Sequence, residues 1–305
     1  MVRTVSRENP DIYMCGWRLR TGLPLPGALL WPDPGTGSLD FAFEPGPVPI
    51  GLKHPVLDLE VLQITARGTA LVRFQGIGRF LIQQRRITCD LEIGRNAPEL
   101  TAVITGNVAA CIAWRRGQLA LHGSAVAIDG RAVLLLGRAD TGKSLLAAAL
   151  ALRGHCALSD EVAAVRRGHC FPTGSMLSLA DDALDALGIP RRGLAQYRRW
   201  RLPKRLWRTG PAAEPRPYPI AAVLVLRKGE PDRPNGLRRL KGDDAAEAII
   251  DQVYRRGMLE ILDSGRTARR EAKAVAAKIP VFRFAVSRRL DRIGDAAGRI
   301  EALLR

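Results

Sequence analysis

The sequence predicts an α/β fold with a β-rich N-terminal domain, and three observations carry that prediction. The apolar run Ala132–Leu136 passes through Gly137-Arg138-Ala139-Asp140-Thr141-Gly142-Lys143-Ser144 into an alanine- and leucine-rich helical segment. Continuous apolar runs at Ile220–Leu226 and Val281–Val286 read as buried strands, and helical stretches lie between them at Asp243–Leu262 and Thr267–Ile279. Residues 1–118 instead hold short strand-like runs broken by Gly and Pro.

Taken in order, Tyr13–Arg20 reads as one strand, followed by the turn GLPLPG. Leu29–Val48 is heavy in Pro and Gly and predicts irregular connections. Leu59–Ile64, Thr69–Phe74, Gly78–Ile82 and Arg86–Ile93 are strand candidates, and Glu99–Ala113 fits a helix with an apolar face. Trp114-Arg115-Arg116-Gly117 is the expected hinge between a first domain, 1–118, and a second, 119–305. In the second, Asp129-Gly130 between two apolar runs predicts a hairpin, whose second strand enters the glycine-bounded loop. Arg153-Gly154-His155 stops the helix. Cys156–Leu158, Val162–Arg166 and Cys170-Phe171 suggest strands, Leu177–Leu187 a helix, Gly210–Pro219 and Gly229–Asn235 turns, and Arg292–Leu304 a closing helix.

Bulk composition narrows the function classes. At 305 residues and 47% hydrophobic content, a sizeable core is available. No apolar run is long enough for a membrane span. The opening MVRTVSRENPDIY has no apolar core before a cleavage site, so no signal peptide is read and a cytoplasmic location is expected. The five cysteines are scattered without CxxC spacing and read as buried small hydrophobes. The net charge of +17 comes from 47 basic residues of which seven are lysine. It favours anionic partners, but so arginine-rich a chain, with many Ala and Gly, also fits plain compositional bias, and nucleic acid is not the favoured partner.

The chemistry lies in three places. GRADTGKS is the GxxxxGK[ST] phosphate-binding loop. Gly137 and Gly142 let successive N–H groups point into one concavity, the helix adds its positive end, Lys143 reaches the outer phosphates and Ser144 ligates magnesium. The whole stretch Gly137, Arg138, Ala139, Asp140, Thr141, Gly142, Lys143, Ser144 and Leu145 is therefore the expected ATP site. Asp140 puts a carboxylate in a loop meant for anions, and we expect it to point outward. Fifteen residues on, Asp160-Glu161 follows an apolar strand; paired acids can hold Mg²⁺ and accept a hydroxyl proton. The third place is Arg191–Arg208, where eight basic residues interleave with Tyr197, Trp200 and Trp207. A cationic lid or peptide contact, a nucleic-acid surface and a solvated face all fit that composition. Lys204 and Arg205 are the preferred phosphate contacts in it.

The order LHGSAVAIDG, GRADTGKS, arginine-glycine stop, LSDE resembles the catalytic domain of HPr kinase/phosphorylase, and most of all the HPr-kinase-like serine kinases of lasso-peptide biosynthesis, whose N-terminal half is also β-rich with GWRLRTGLPLPG near its start. The resemblance covers 119–305 and is looser over 1–118. It implies a P-loop kinase core of HPr-kinase type, using ATP and Mg²⁺ to phosphorylate a peptide serine, with a lasso precursor peptide as partner. It also implies Asp160 as general base, His122 as the histidine that orients it, and Glu161 as Mg²⁺ ligand; Asp160 and Glu161 can exchange roles. Hexamers occur in the resembled family, but the N-terminal region here differs too much for that state to transfer, and a homo-oligomer is left as an open alternative. Ala139 and Asp140 stand where the family has serine and glycine, and Glu161 where it has aspartate. The phosphorylase signature is absent, which argues against HPr as substrate. A small-molecule kinase, a nucleic-acid-binding ATPase and a non-catalytic nucleotide sensor share parts of the motif set.

Overall fold

The computed structural model describes residues 10–33, 38–199, 202–230, 236–255, 257, 265–287 and 289–305. Trp200 and Arg201 of the basic stretch, 231–235 of the expected turn, and 256 and 258–262 of the expected long helix lie outside the described residues.

Nine described strands build the N-terminal sheet: β1 (Ile12–Met14), β2 (Trp17–Arg20), β3 (Leu29–Leu30), β4 (Phe41–Pro45), β5 (Pro55–Leu59), β6 (Leu62–Thr65), β7 (Ala70–Phe74), β8 (Gly78–Ile82) and β9 (Arg86–Leu91), in the order β3-β1-β2-β4-β9-β8-β7-β6-β5. Two expectations are corrected here. Tyr13–Arg20 is a hairpin rather than one strand, because Cys15 (φ 53°) and Gly16 (φ 84°) both take left-handed backbone and reverse the chain. Leu59–Ile64 is likewise broken, with Glu60 and Val61 forming the turn between β5 and β6. Within the stretch read as irregular, Phe41 and Phe43 alternate into the core and make β4 a strand, parallel to β2 and β9.

A helical rod follows: α1 (Pro98–Val103), a π-helical turn (Ile104–Val108) and α2 (Ala109–Arg115). One apolar cluster holds Phe41, Phe80 and Leu100 together with Leu121, Leu134 and Ile249, so the core runs on past residue 118.

The second sheet is built on β10 (Leu119–Ile128) and β11 (Arg131–Leu136), the expected Asp129-Gly130 hairpin. After α3 (Lys143–Leu152) come β12 (Cys156–Ser159), β13 (Val162–Arg166), β14 (His169–Phe171), β15 (Met176–Leu179), α4 (Asp181–Ala186), β16 (Gln196–Arg199), β17 (Leu202–Arg208), β18 (Tyr218–Lys228), β19 (Gly236–Leu240), α5 (Gly242–Ile250), α6 (Arg266–Lys278), β20 (Val281–Val286) and α7 (Ile293–Leu304). β11, β18 and β20 run parallel, as buried apolar strands joined by helical crossovers must. α3 and α7 cover one face; α5 and α6 share the cluster on the other. Phe284 and Leu224, both fully buried under α3 and α7, are each worth about 1.5–3 kcal/mol of apolar burial.

Two helices are shorter than the pattern suggests. Leu177–Leu187 begins as strand β15, because its backbone pairs with β17 and the Ser178 N–H is drawn to Asp160; helix starts only at Asp181. Asp243–Leu262 leaves the helix after Ile250, because the chain turns back to bond β10. Tyr254 N–H donates to the Ala120 carbonyl (2.9 Å) and His122 N–H to the Gln252 carbonyl (2.7 Å). No described helix is long and apolar enough to cross a membrane.

The last helix is clamped to the end of α3. The Arg153 fork meets both oxygens of Glu301 (2.8 and 2.6 Å), and His155 Nε2 lies 2.9 Å from the same carboxylate. Hydrogen bonding from Arg153, aided by His155, holds the Glu301 carboxyl at about 2, below its ordinary 4.5. A depressed carboxyl contributes stability that is present above its unfolded value and lost as pH falls through the folded one. Arg153 is half exposed, so we expect the contribution to be about 1–2 kcal/mol rather than the full shift. In acid titrations followed by circular dichroism, Glu301→Gln should lack that share of the loss between pH 4.5 and 2.

Candidate active site

The glycine-bounded loop leaves the sheet at Leu136 and enters α3 at Lys143. Gly137 is required sterically as well as conformationally. Its φ is 147°, and a Cβ there would sit 2.8 Å from Thr141 Oγ1 and 2.9 Å from the Leu226 carbonyl. Gly142 (φ 87°) turns the chain into the helix. Lys143 is only 7% exposed, and its Nζ donates to the carbonyls of Gly137 and Arg138 at 2.8 Å each. Thr141 Oγ1 donates to the same Arg138 carbonyl (2.8 Å). The ammonium thus sits across the loop it would use to hold a phosphate. Arg138, Ala139 and Asp140 are exposed at the tip, Ser144 opens the helix, and Leu145 packs at the edge of the α3 cluster.

Asp140 is exposed and takes left-handed backbone (φ 58°). In water even a close unit charge is worth about 1 kcal/mol. Asp140→Gly should therefore tighten MgATP by less than about fivefold, with the gain shrinking in salt. Relief of the left-handed backbone and the added freedom of glycine in the unfolded chain nearly cancel, leaving stability within about 0.5 kcal/mol. Calorimetry and thermal melts check both.

Sheet register brings the paired acids to the loop. β10 pairs β11 on one edge, with Gly123 opposite Leu136 and Ser124 opposite Leu135. On its other edge Ser159 of β12 pairs Ala125, and Val162 of β13 pairs His122. Asp160 and Glu161 are the two-residue kink between those rungs, and Gly123 N–H reaches the Glu161 carbonyl (3.3 Å). The acids and the loop therefore leave the sheet at the same level with one strand between them, about 10 Å at ordinary strand spacing. The next rung beyond Gly123–Leu136 would set His122 beside Gly137.

Both acids are 7% exposed. Asp160 is held at both oxygens: Ser124 Oγ donates to Oδ1 (2.9 Å) and the Ser178 N–H to Oδ2 (2.8 Å). Tyr197 hydroxyl in turn donates to Ser178 Oγ (2.8 Å). Ser124 shares its strand face with Val126 and Ile128, which pack under α3, so its bond ties Asp160 to the face carrying the loop helix. Glu161 starts against Gly106 of the π-helical turn, near the Tyr254 hydroxyl. Thr105 of that turn lines a water-sized cavity with Asp160, and Asn107 Oδ1 accepts from Arg255 Nε (2.9 Å). The His122 ring lies 5.9 Å from that of Tyr254.

Lys204 and Arg205 lie on β17, within the hairpin that the basic stretch forms. Lys204 pairs with Tyr197; Arg205 pairs with Leu179, and its Nε donates to Asp181 (2.8 Å). β17 is thus linked to the acids through β15. Ser178 and the π-helical turn were not read from sequence; Tyr197 was read only as an aromatic of the basic stretch, and Ser124 only as part of LHGSAVAIDG. Only Ser124, two residues after His122 on one strand face, carried a local signal.

The donors suit magnesium in one respect and limit it in another. Among the described residues no group of three or more His, Cys, Asp or Glu could hold a metal. Mg²⁺ needs no such cage, since it is ordinarily bound by one or two carboxylates, waters and substrate phosphates. Ser144 with one of the paired acids fits that mode. Burial pushes the thiols of Cys111 and Cys170 up to about 12, while Cys156 is only partly buried.

No family model matches the chain, and no curated protein matches it. Among solved structures it matches the HPr(Ser) kinase/phosphatase from Coxiella burnetii at 16% identity, covering 60% of this chain and 96% of that one, with a TM-score of 0.30. That superposition is loose.

Proposed function

We propose that the chain is an ATP- and Mg²⁺-dependent phosphotransferase acting on a serine hydroxyl of a peptide, with the C-terminal serine of a lasso precursor peptide as the leading acceptor. What supports the reading is the convergence on one end of one sheet of a glycine-bounded loop, its buried lysine, and a carboxylate held at both oxygens. The sequence resemblance supplies the peptide and the lasso assignment.

In this reading residues 137–145 cradle the phosphates, and Lys143 exchanges its two carbonyl partners for phosphate oxygens. Asp160 takes the proton as the serine oxygen attacks the γ-phosphate; Ser124 and Ser178 keep its carboxylate aimed. His122 orients the acid region from β10. Ser144 and Glu161 would hold Mg²⁺, which when bound offsets charge on the phosphates. Lys204 and Arg205 contribute cations from the β16–β17 hairpin.

The test is transfer of label from γ-labelled ATP, with Mg²⁺, to a lasso precursor peptide, with product mass mapped to a residue. One phosphate on a serine is expected. Label appearing only on members of a metabolite panel would move the acceptor to a small molecule, and nucleotide binding without turnover would make the chain a sensor.

A further inference from the structure

A second cavity, of about 550 Å³, opens between the N-terminal sheet and the helical rod. Its size is that of a ligand site, and the motifs do not account for it. Phe74, Ile77 and Val103 give it an apolar wall, and Arg79 and Arg255 a cationic one. Arg79 spends one Nη on Asp90 (2.6 Å), and its buried Nε has no hydrogen-bond partner. Arg255 sits in left-handed backbone (φ 51°), a conformation that its surroundings must enforce. Glu60, Glu92 and Glu99 stand elsewhere on the lining, and Glu92 already accepts the Gly76 N–H (2.9 Å).

Two members of the lining lead directly to the acids. Tyr197 bonds Ser178, whose N–H holds Asp160. Asn107, which accepts from Arg255, follows Gly106, against which Glu161 starts. The acids do not themselves line the cavity; they are tied to its wall through these residues.

We infer that this cavity is the acceptor-docking site, resting on the phosphotransferase reading. Its occupant is a short peptide segment carrying one carboxylate beside an apolar side chain. The carboxylate sits on Arg79 and Arg255, the guanidinium groups of the cationic wall. The apolar side chain lies against Phe74, Ile77 and Val103. Glu60, Glu92 and Glu99 balance Arg73, Arg79 and Arg255 on the lining, which suits one carboxylate better than several.

The test uses fluorescence polarisation with labelled decapeptides, each holding one serine, one leucine and one aspartate at varied spacing, and the same set with asparagine for aspartate. Full-length wild type should bind members of the aspartate set at least tenfold more tightly than their asparagine partners. Arg79→Gln should erase that difference. Ala102→Trp, which fills the cavity from α1, should abolish binding while MgATP affinity stays within twofold. Thermal melts confirm folding of both variants. No binding by any peptide, equal binding of the two sets, or an Ala102→Trp protein that binds like wild type would overturn the assignment. A wild type that binds the aspartate set through Arg79 but transfers no phosphate refutes the phosphotransferase and leaves the docking site. Phosphorylation undiminished in Ala102→Trp refutes the docking site and leaves the phosphotransferase.

Discussion

Asp160→Asn should lower the transfer rate by about 10²–10⁴-fold, the usual worth of a positioned general base, while the protein stays folded and binds MgATP. The hydrogen bonds explain why the fold survives. Asparagine can place its amide oxygen at the Ser178 N–H and its NH₂ toward Ser124 Oγ, whose hydroxyl rotates to accept. No buried donor is orphaned, so a melting shift of only a few degrees is expected. The substitution removes the proton acceptor and little else. Stopped assays with saturating ATP should show a loss in kcat with KM for ATP nearly unchanged. An equal loss in MgATP affinity would show that Asp160 serves the nucleotide rather than the acceptor.

Lys143→Met is the second large effect. The ammonium bridges the carbonyls of Gly137 and Arg138 from a site that is almost closed to solvent. Methionine fills similar space but leaves two carbonyls without that donor, at a cost of about 1–2 kcal/mol. Loss of a charged donor aimed at developing negative charge should cost about 10²–10³-fold in kcat, with weaker MgATP binding as well. Lys143→Arg should not rescue it, because a planar fork cannot occupy a slot shaped for one ammonium. Calorimetric titration beside turnover separates this pattern, in which both parameters fall, from that of Asp160→Asn.

What was legible in the sequence was local. The loop, the Asp129-Gly130 hairpin and the apolar strands at 220–226 and 281–286 each announce themselves within a few residues, through glycine positions or unbroken hydrophobic runs. Where the reading failed, a distant partner decided. Cys15 turns a hairpin from a position where cysteine gives no warning of left-handed backbone. Ser178 becomes strand because β17 and Asp160 claim its backbone from elsewhere in the chain. The helix from Asp243 ends early because Tyr254 bonds a strand more than a hundred residues before it. Asp160-Glu161 was legible as adjacent acids after an apolar strand, but not that Asp160 reaches Ser124 and Ser178 while Glu161 starts against Gly106. The π-helical turn that lies against them has no recognisable signature in Ile104–Val108, although such turns gather at functional sites.

In the proposed reaction one carboxylate, Asp160, drives phosphoryl transfer from a nucleotide held by residues 137–144. That role is tested most directly by a single turnover: enzyme preloaded with γ-labelled ATP and Mg²⁺, mixed with excess precursor peptide, quenched in time and counted as phosphopeptide. Wild type should convert the bound label to phosphoserine in one exponential phase. Asp160→Asn, carrying the same bound ATP, should do so at least a hundredfold more slowly. Equal rates in the two proteins, or label leaving wild type only as free phosphate, would contradict the account.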